Sequence, residues 1–330
     1  MDKNTNAPLL SIEGLVTTFR MRGGTGNAVD GVDIKIGRGE TVGLVGESGC
    51  GKSMTAMSIM GLLPDMARIT AGKIDFAGED LAKYARAQML KITGDRISMI
   101  FQEPMTSLNP VKTVGHQVRE AILLHQKVSR REAKARVIDV FRKVGIPEPE
   151  RRYGAYPHQL SGGLRQRVMI GMAMVCSPDL LIADEPTTAL DVTIEAQILR
   201  LMQELQRAQD TSILMITHNL GVVAEVCDRV YVMYAGQVVE EADVFTLFKS
   251  PAHPYTVGLM NSLPGLRKKD EPLASIRGMV PSLTAMPAGC RFSPRCDRAC
   301  DRCRKEAPPL YDLGGGHKAR CFLIEKGGEA

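Results

Sequence analysis

Tryptophan is absent from these 330 residues, and there are only seven tyrosines and eight phenylalanines. Proteins that grip single-stranded nucleic acid stack bases on aromatic rings, so this composition speaks against such a platform. Long apolar runs are missing too. The longest, Val168 to Cys176, has nine residues, against the roughly 18 that span a bilayer; it suits a buried helix. Met1-Asp2-Lys3-Asn4 lacks the apolar core of a secretory leader. The chain is therefore expected to stay in the cytosol unless a partner holds it at a membrane. No long basic block occurs, and a net charge of +5 is mild for this length, so no nucleic-acid partner is expected. There is no internal repeat and no low-complexity tract beyond Gly314-Gly315-Gly316. The remaining balance, 44 % apolar and 24 % charged, is that of a globular protein with room for two or three domains.

The stretch that organises the rest is Gly46-Glu47-Ser48-Gly49-Cys50-Gly51-Lys52-Ser53. It follows Thr41–Val45, an apolar run that reads as a buried strand, and precedes Met54–Met60, which reads as a helix start. That context fits the phosphate-loop pattern G-x-x-x-x-G-K-[ST]. Glycines let the backbone curl so that successive N–H groups face phosphate oxygens, and the helix N-terminus adds partial positive charge. Lys52 can reach the β- and γ-phosphates, and the Ser53 hydroxyl can bind Mg²⁺. Glu47-Ser48-Gly49 does not match the dinucleotide fingerprint. The expectation is a nucleoside triphosphate site.

Along the chain, Leu9–Phe19 and Ala28–Ile34 read as strands separated by Gly23–Asn27, with Gly72–Gly78 a further short strand and turn. Phe19, an aromatic at a strand end, is either a platform for a purine or an ordinary strand-end ring. Ile97–Phe101 is a buried strand ending at Gln102, followed by Glu103-Pro104. From Thr113 to Gly145 the pattern is helical, with Val114, Val118, Ile122 and then Val137, Val140, Phe141, Val144 at helical spacing, closed by Pro147 and Pro149. Leu160–Arg167 opens a long helix. Leu180–Glu185 is a strand ending in two carboxylates. A helix from about Thr193 to Gln209 leads to the buried strand Ser212–His218, and a hairpin lies around Ala235–Gln237. From about Pro251 prolines and glycines multiply and periodicity fades. The domains read as 1–250, with a helical subdomain at about 105–170, and a C-terminal extension, 251–330.

Buried strands thus end at Gln102, at Asp184-Glu185 and at His218, and ligands of open α/β sheets bind beyond the carboxyl ends of strands. Asp184 suits the Mg²⁺ shell. Glu185 suits the base that takes a proton from an attacking water. Gln102 can hold that water or the metal shell, and His218 can contact the γ-phosphate.

Taken together, FQEP (Phe101–Pro104), LSGGLRQR (Leu160–Arg167), LLIADEPTTALD (Leu180–Asp191) and ITH (Ile216–His218) resemble an ABC-type ATPase. The resemblance implies an α/β fold: a P-loop ABC ATPase core with an antiparallel β subdomain and an α-helical insert, plus a small Cys-rich C-terminal extension. It implies that Ser161, Gly162 and Gly163 bind the γ-phosphate of ATP held on the opposite subunit, and that Asp191 links the two sites across that interface. GESGCGKS, QEPMTSLNP, YPHQLSGG, ADEPTTALDVTIEAQIL, VMYAGQVVE, HPYTVGLMNSLP and GCRFSPRC followed by EAPPL resemble the ATP-binding subunits of bacterial oligopeptide and dipeptide permeases more narrowly. That family implies ATP and Mg²⁺ and a second ATPase subunit, identical or a paralogue. It also implies two membrane permease subunits, an extracytoplasmic peptide-binding protein, and a place on the cytoplasmic face of the membrane. Gln102 to about Gly145 would carry the docking surface. Leu164 stands where the family more usually has Met, and Asn219 where it has Asp.

Five of the eight cysteines, Cys290, Cys296, Cys300, Cys303 and Cys321, lie in the tail. Thiolates at such spacing suit an iron–sulfur cluster or zinc, both of which take four sulfurs; five free thiols are the remaining alternative. The family resemblance points to a four-iron cluster on Cys290, Cys296, Cys303 and Cys321, with Cys300 additional. A soluble ABC ATPase acting on DNA or ribosomes usually carries coiled-coil inserts or two cassettes, and neither is present here. A metal-sensing regulator would not need Glu185 and His218. The sequence does not specify which peptide, or other small solute such as nickel, is carried.

Overall fold

A computed structural model of the protein describes residues 7–102, 107–188, 190–262 and 276–325. Twelve strands run through the described residues: β1 (Leu10–Met21), β2 (Gly24–Ile36), β3 (Thr41–Val45), β4 (Ala67–Phe76), β5 (Glu79–Asp80), β6 (Ile97–Ile100), β7 (Leu180–Asp184), β8 (Ser212–Thr217), β9 (Arg229–Tyr234), β10 (Gln237–Asp243), β11 (Tyr311–Gly314) and β12 (His317–Ala319). The chain forms two units: Met1–Ile36, Thr41–Lys83 and Ile216–Ala330 make the first, Gly37–Glu40 and Tyr84–Met215 the second.

In the first unit an antiparallel sheet runs β2-β1-β4-β5. The stretch Gly23–Asn27, expected to separate two strands, is mostly strand itself. Met21 pairs with Gly24 and Thr18 with Asn27, leaving a turn of Arg22 and Gly23. Gly24 at φ 134° adopts a backbone that L residues avoid, which lets the strands run to the turn. β4 likewise begins at Ala67, before the expected Gly72, because β1 offers it partners from Leu10 to Phe19.

Beside this lies β3, five buried residues in a row, paired in parallel with β9 so that Val42–Val45 faces Arg229–Val232. β9 pairs antiparallel with β10, β10 with β12, and β12 with β11. The three glycines 314–316 make the β11–β12 turn, at φ 87°, 62° and 82°. Three successive left-handed residues are tolerated by glycine alone. Val45 of β3 and Val230, Val232 and Tyr234 of β9 share one core with Tyr255, Met260 and Phe292, residues beyond the change of texture at Pro251. Tyr234 meets Tyr255 at 4.7 Å and Phe292 edge-on at 5.2 Å between ring centroids. Glu240 of β10 is wholly buried in this unit. It accepts hydrogen bonds from Ala252 N at 2.7 Å and His253 N at 2.8 Å, and lies 2.9 Å from His317 Nε2.

In the second unit β6 and β7 pair in parallel, Ile97–Ile100 against Leu180–Ala183, with β8 beside β7. The expected helical insert resolves into helices Val114–His125 and Arg130–Lys143. Thr113 and Ser129 cap them, accepting from the His116 and Glu132 amides. Val114, Val118, Ile122, Val137 and Phe141 are buried, as the helical spacing requires.

Candidate functional site

Gly46 to Ser53 leaves β3 and enters helix Lys52–Met60, which starts two residues before the expected Met54. Its N-cap is Gly51 at φ 109°, which has no side chain to cap the first turn, so the donors there are left for a ligand. A Cβ on Gly46 would stand 2.2 Å from the Met233 carbonyl oxygen, and one on Gly51 would stand 2.4 Å from that of Ala28. Only glycine permits these approaches. Around Gly49, at φ 78°, nothing lies within 4 Å of that position, so the loop is pressed against the protein on one side and open on the other. Lys52 is 5 % exposed and donates from Nζ to the carbonyl oxygens of Gly46 at 2.7 Å and Glu47 at 3.0 Å. Cys50 is buried; burial raises its thiol pKa, with Lys52 opposing. The Cys50 carbonyl accepts from Gly236 N at 2.8 Å.

In the same unit, Phe19 near the end of β1 is half-buried and faces Gly26 on β2 and Ala67 on β4. Neither paired residue has a large side chain, although Leu283 stands over Gly26. His218 is exposed just past β8. Asn219 caps helix Leu220–Val226, its Oδ1 accepting from Gly221 N at 2.9 Å while its own N donates to Thr217 Oγ1 at 3.0 Å. Asparagine caps a helix about as well as aspartate, so the Asn219 departure keeps the turn that carries His218.

The remaining nucleotide-site candidates belong to the second unit. Asp184, 4 % exposed, ends β7. Glu185 follows at φ 48°, a left-handed backbone for a non-glycine residue, a strain on the order of 1–3 kcal/mol. Its Oε2 accepts from Gln102 Nε2 at 3.0 Å and from Thr188 Oγ1 at 2.9 Å. Gln102 and Glu185 are thus brought together. Ser161 caps helix Gly162–Met174, accepting from Leu164 N at 3.4 Å, and Gly162 opens on empty space. Asp191 takes the N-cap position of helix Val192–Gln209, exposed and without capping it. Glu103 and Pro104 of the FQEP motif, and Ala189, lie outside the described residues.

Of the tail cysteines, Cys290, Cys296, Cys303 and Cys321 line one narrow cavity of 10 Å³, room for about one water. Cys300 does not line it; its Sγ lies 3.4 Å from that of Cys303. Burial raises all four lining thiols, Cys321 to about 11. Among the described residues, no three of His, Cys, Asp or Glu are disposed to hold a single metal ion.

Three residues that sequence reasoning missed act beside these groups. Gln166, buried in helix Gly162–Met174, donates to the Pro186 carbonyl and so ties that helix to the turn after Glu185. Tyr255 and Arg295 both contact Glu47 of the phosphate loop. All three lie within motifs given above, Gln166 in LSGGLRQR, Tyr255 in HPYTVGLMNSLP and Arg295 in GCRFSPRC, but nothing in their spacing marks these side chains out from their neighbours.

Comparison with known proteins agrees with this layout. Residues 29–188 match the family model described as ABC transporter, and residues 239–303 match the oligopeptide/dipeptide transporter C-terminal region. The oligopeptide transport ATP-binding protein AppD of Bacillus subtilis is 50 % identical over 97 % of this chain and 98 % of its own. The dipeptide transport ATP-binding protein DppD of Escherichia coli is 48 % identical over 95 % and 96 %. Among solved structures, the ATP-binding cassette MJ0796, dimeric and bound to ADP and Pi, is similar with a TM-score of 0.65 at 26 % identity, over 71 % of this chain and 98 % of that one.

Proposed function

This chain belongs to the ATP-binding proteins of oligopeptide and dipeptide ABC transporters, and from that premise we propose how its residues bind ATP and hydrolyse it to drive peptide import. The observation that carries the reading is the phosphate loop: two glycines against backbone carbonyls, an open concave side, a helix N-terminus without a cap, and Lys52 folded over the loop. The loop's N–H groups and Lys52 hold the β- and γ-phosphates. Phe19 stacks on the base. Glu185 takes a proton from water as that water's oxygen bonds to the γ-phosphorus and the bond to the β-phosphate oxygen breaks, releasing ADP and phosphate. Its strained backbone and two hydrogen bonds hold the carboxylate in one orientation. His218 contacts the γ-phosphate.

The residue types assigned to Mg²⁺ suit a hard cation, which takes oxygen donors: the Ser53 hydroxyl, the Asp184 carboxylate and the amide oxygen of Gln102, whose N–H is used on Glu185. Mg²⁺, when bound, neutralises charge on the phosphate oxygens.

Ser161, Gly162 and Gly163 form a second anion site at a helix N-terminus, and one monomer needs only one such site, which the loop already provides. This supports a head-to-tail pair of ATPase subunits with two ATPs between them, a partner that is a paralogue or a second copy, and Asp191 at the interface. Among the described residues no helix is long and apolar enough to cross a membrane. Two permease subunits would hold the pair at the cytoplasmic face, with an extracytoplasmic binding protein delivering the peptide. Residues 1–250 form the nucleotide-binding domain, with its helical subdomain at about 105–170, and residues 251–330 the extension.

In that extension a four-iron cluster on Cys290, Cys296, Cys303 and Cys321 is favoured over zinc. Cys290, Cys296, Cys303 and Cys321 line one narrow apolar cavity, and four thiolates are the ligand set of such a cluster. Anaerobically prepared protein is expected to be brown, with about four irons per chain. Cys296→Ser should lose the colour and Cys300→Ser should keep it. Stoichiometric zinc without iron would overturn the cluster.

The transport reading is tested by reconstitution with the permease subunits and binding protein. Peptide uptake and ATP turnover should both need the assembly, while the isolated chain turns over poorly. Robust turnover by a strictly monomeric preparation would sink the two-subunit arrangement.

A further inference from the structure

The phosphate loop is held from the C-terminal extension. Glu47, the second residue of the loop, sends its carboxylate to Arg295: Nη1 donates to Oε2 at 2.7 Å and Nη2 to Oε1 at 3.1 Å, a two-point fork. The Glu47 N–H donates to the Tyr255 hydroxyl at 2.9 Å. The Glu47 carbonyl accepts from Lys52 at 3.0 Å, so the peptide that Lys52 grips belongs to the residue the extension grips.

Arg295 is built for this position. Its side chain is 5 % exposed. Its other donor contacts are also met: Nε reaches the Arg277 carbonyl at 2.8 Å, Nη2 the Ile276 carbonyl at 3.3 Å and Nη1 the Tyr234 hydroxyl at 3.4 Å. The guanidinium carbon lies 5.7 Å from the centre of the Tyr234 ring and 6.0 Å from that of Phe292. Burial alone would lower its pKa, but Glu47 and Tyr234 outweigh that and hold it above its ordinary value. A lysine could not reproduce the fork.

A second arginine repeats the pattern four residues earlier. Arg291 bonds Asp30 and the Ala235 carbonyl, next to Gly236, whose N–H holds the Cys50 carbonyl. Both arginines sit on Cys290-Arg291-Phe292-Ser293-Pro294-Arg295-Cys296, a loop whose two ends line the cysteine cavity and whose Phe292 is buried against Tyr234.

The geometry points to Arg295 and Tyr255 as positioning residues for ATP binding: by fixing Glu47 they set the phosphate loop, so that the Cys290–Cys296 loop controls nucleotide affinity from outside the site. This rests on the reading of Gly46–Ser53 as the ATP site. Removing Glu47's charge leaves the buried Arg295 uncompensated, and removing Arg295 frees a half-buried carboxylate that is part of the loop itself. The cost therefore falls on ligand affinity as well as on folding.

The test is equilibrium binding of a fluorescent ATP analogue to the full chain, with melting followed in parallel. Arg295→Gln and Glu47→Gln should each weaken binding by about tenfold, equivalent to about 1.4 kcal/mol. The double variant should be no weaker than the worse single one, because both remove the same contact. Tyr255→Phe, which keeps the ring packing, should weaken binding by roughly twofold to fivefold through the one lost hydrogen bond. Arg295→Lys should fall between wild type and Arg295→Gln. Lys52→Ala is the control. If Lys52→Ala binds as wild type, the ATP-site reading falls and this inference with it. If Lys52→Ala binds poorly but Glu47→Gln, Tyr255→Phe and Arg295→Gln bind as wild type, the inference alone is overturned, even where they melt earlier. Independent, multiplying effects of Arg295→Gln and Glu47→Gln also overturn it.

Discussion

Glu185 is the residue whose local structure says most about its role. Its carboxylate is fixed by Gln102 and Thr188, and its backbone sits at φ 48°. A left-handed glutamate persists only where its surroundings over-determine it, and such strain gathers at working sites. Glu185→Gln keeps the size and most hydrogen-bonding capacity of the side chain but removes the proposed base. Turnover in the assembled transporter should fall by roughly 10²-fold or more with nucleotide binding retained. Turnover near the wild-type rate would remove Glu185 from that role. The sequence already singled out this glutamate, because a carboxylate directly after a buried strand is costly without a function. The backbone strain and the Thr188 contact were not legible, since φ angles have no sequence signature outside glycine and proline.

At the scale of the element, the phosphate loop shows why its glycines are not interchangeable with other flexible residues. Gly51 and Gly78 both take positive φ, 109° and 92°, so alanine is strained at either. At Gly51, however, a Cβ would stand 2.4 Å from the Ala28 carbonyl oxygen, whereas around Gly78 nothing lies within 4 Å. Gly78→Ala should therefore cost stability by about 1–2 kcal/mol and leave ATP affinity unchanged. Gly51→Ala should reduce ATP affinity by tenfold or more, because the loop must move away from Ala28. Equal affinities for the two variants, measured by titration calorimetry, would show that the Ala28 contact does not set the loop. Helix ends tell a similar story. The Lys52–Met60 helix begins at Lys52 and not at Met54 because the glycine N-cap leaves its first turn open toward a ligand.

Across the whole first unit, the extension shares its core with the strand that feeds the phosphate loop, and one buried histidine makes that core sensitive to pH. His253 is 1 % exposed, and its Nδ1 accepts from Tyr255 N at 3.0 Å. Burial lowers its pKa to about 4, with Glu240 opposing. The unfolded chain, with an ordinary histidine near pH 6.5, binds this proton before the folded one does. The stabilisation from keeping His253 neutral is therefore complete above about pH 6.5 and is lost as pH falls toward about 4, on the order of 3 kcal/mol in all. Urea titrations across that window should show stability dropping with pH. His253→Asn, which can still cap the helix, should flatten the drop. An unchanged slope in the variant would assign the effect elsewhere.

What the sequence alone determined was local and repetitive. The run Thr41–Val45 ahead of Gly46, the carboxylates Asp184 and Glu185 closing an apolar strand, and the helical spacing of Val114, Val118 and Ile122 each need only near neighbours to be read. The ABC family was legible for the same reason, because its motifs are contiguous. Tertiary structure decided what depends on residues distant in the chain. Met21 and Gly24 extend a hairpin through a glycine-rich stretch because β1 can offer strand partners on both sides. Four tail cysteines, separated by up to 17 intervening residues, line one cavity while Cys300 does not. Arg295 reaches Glu47 across 248 residues of chain. Side-chain pairing at that separation is set by how the core packs, and packing has no periodicity that a single sequence can display.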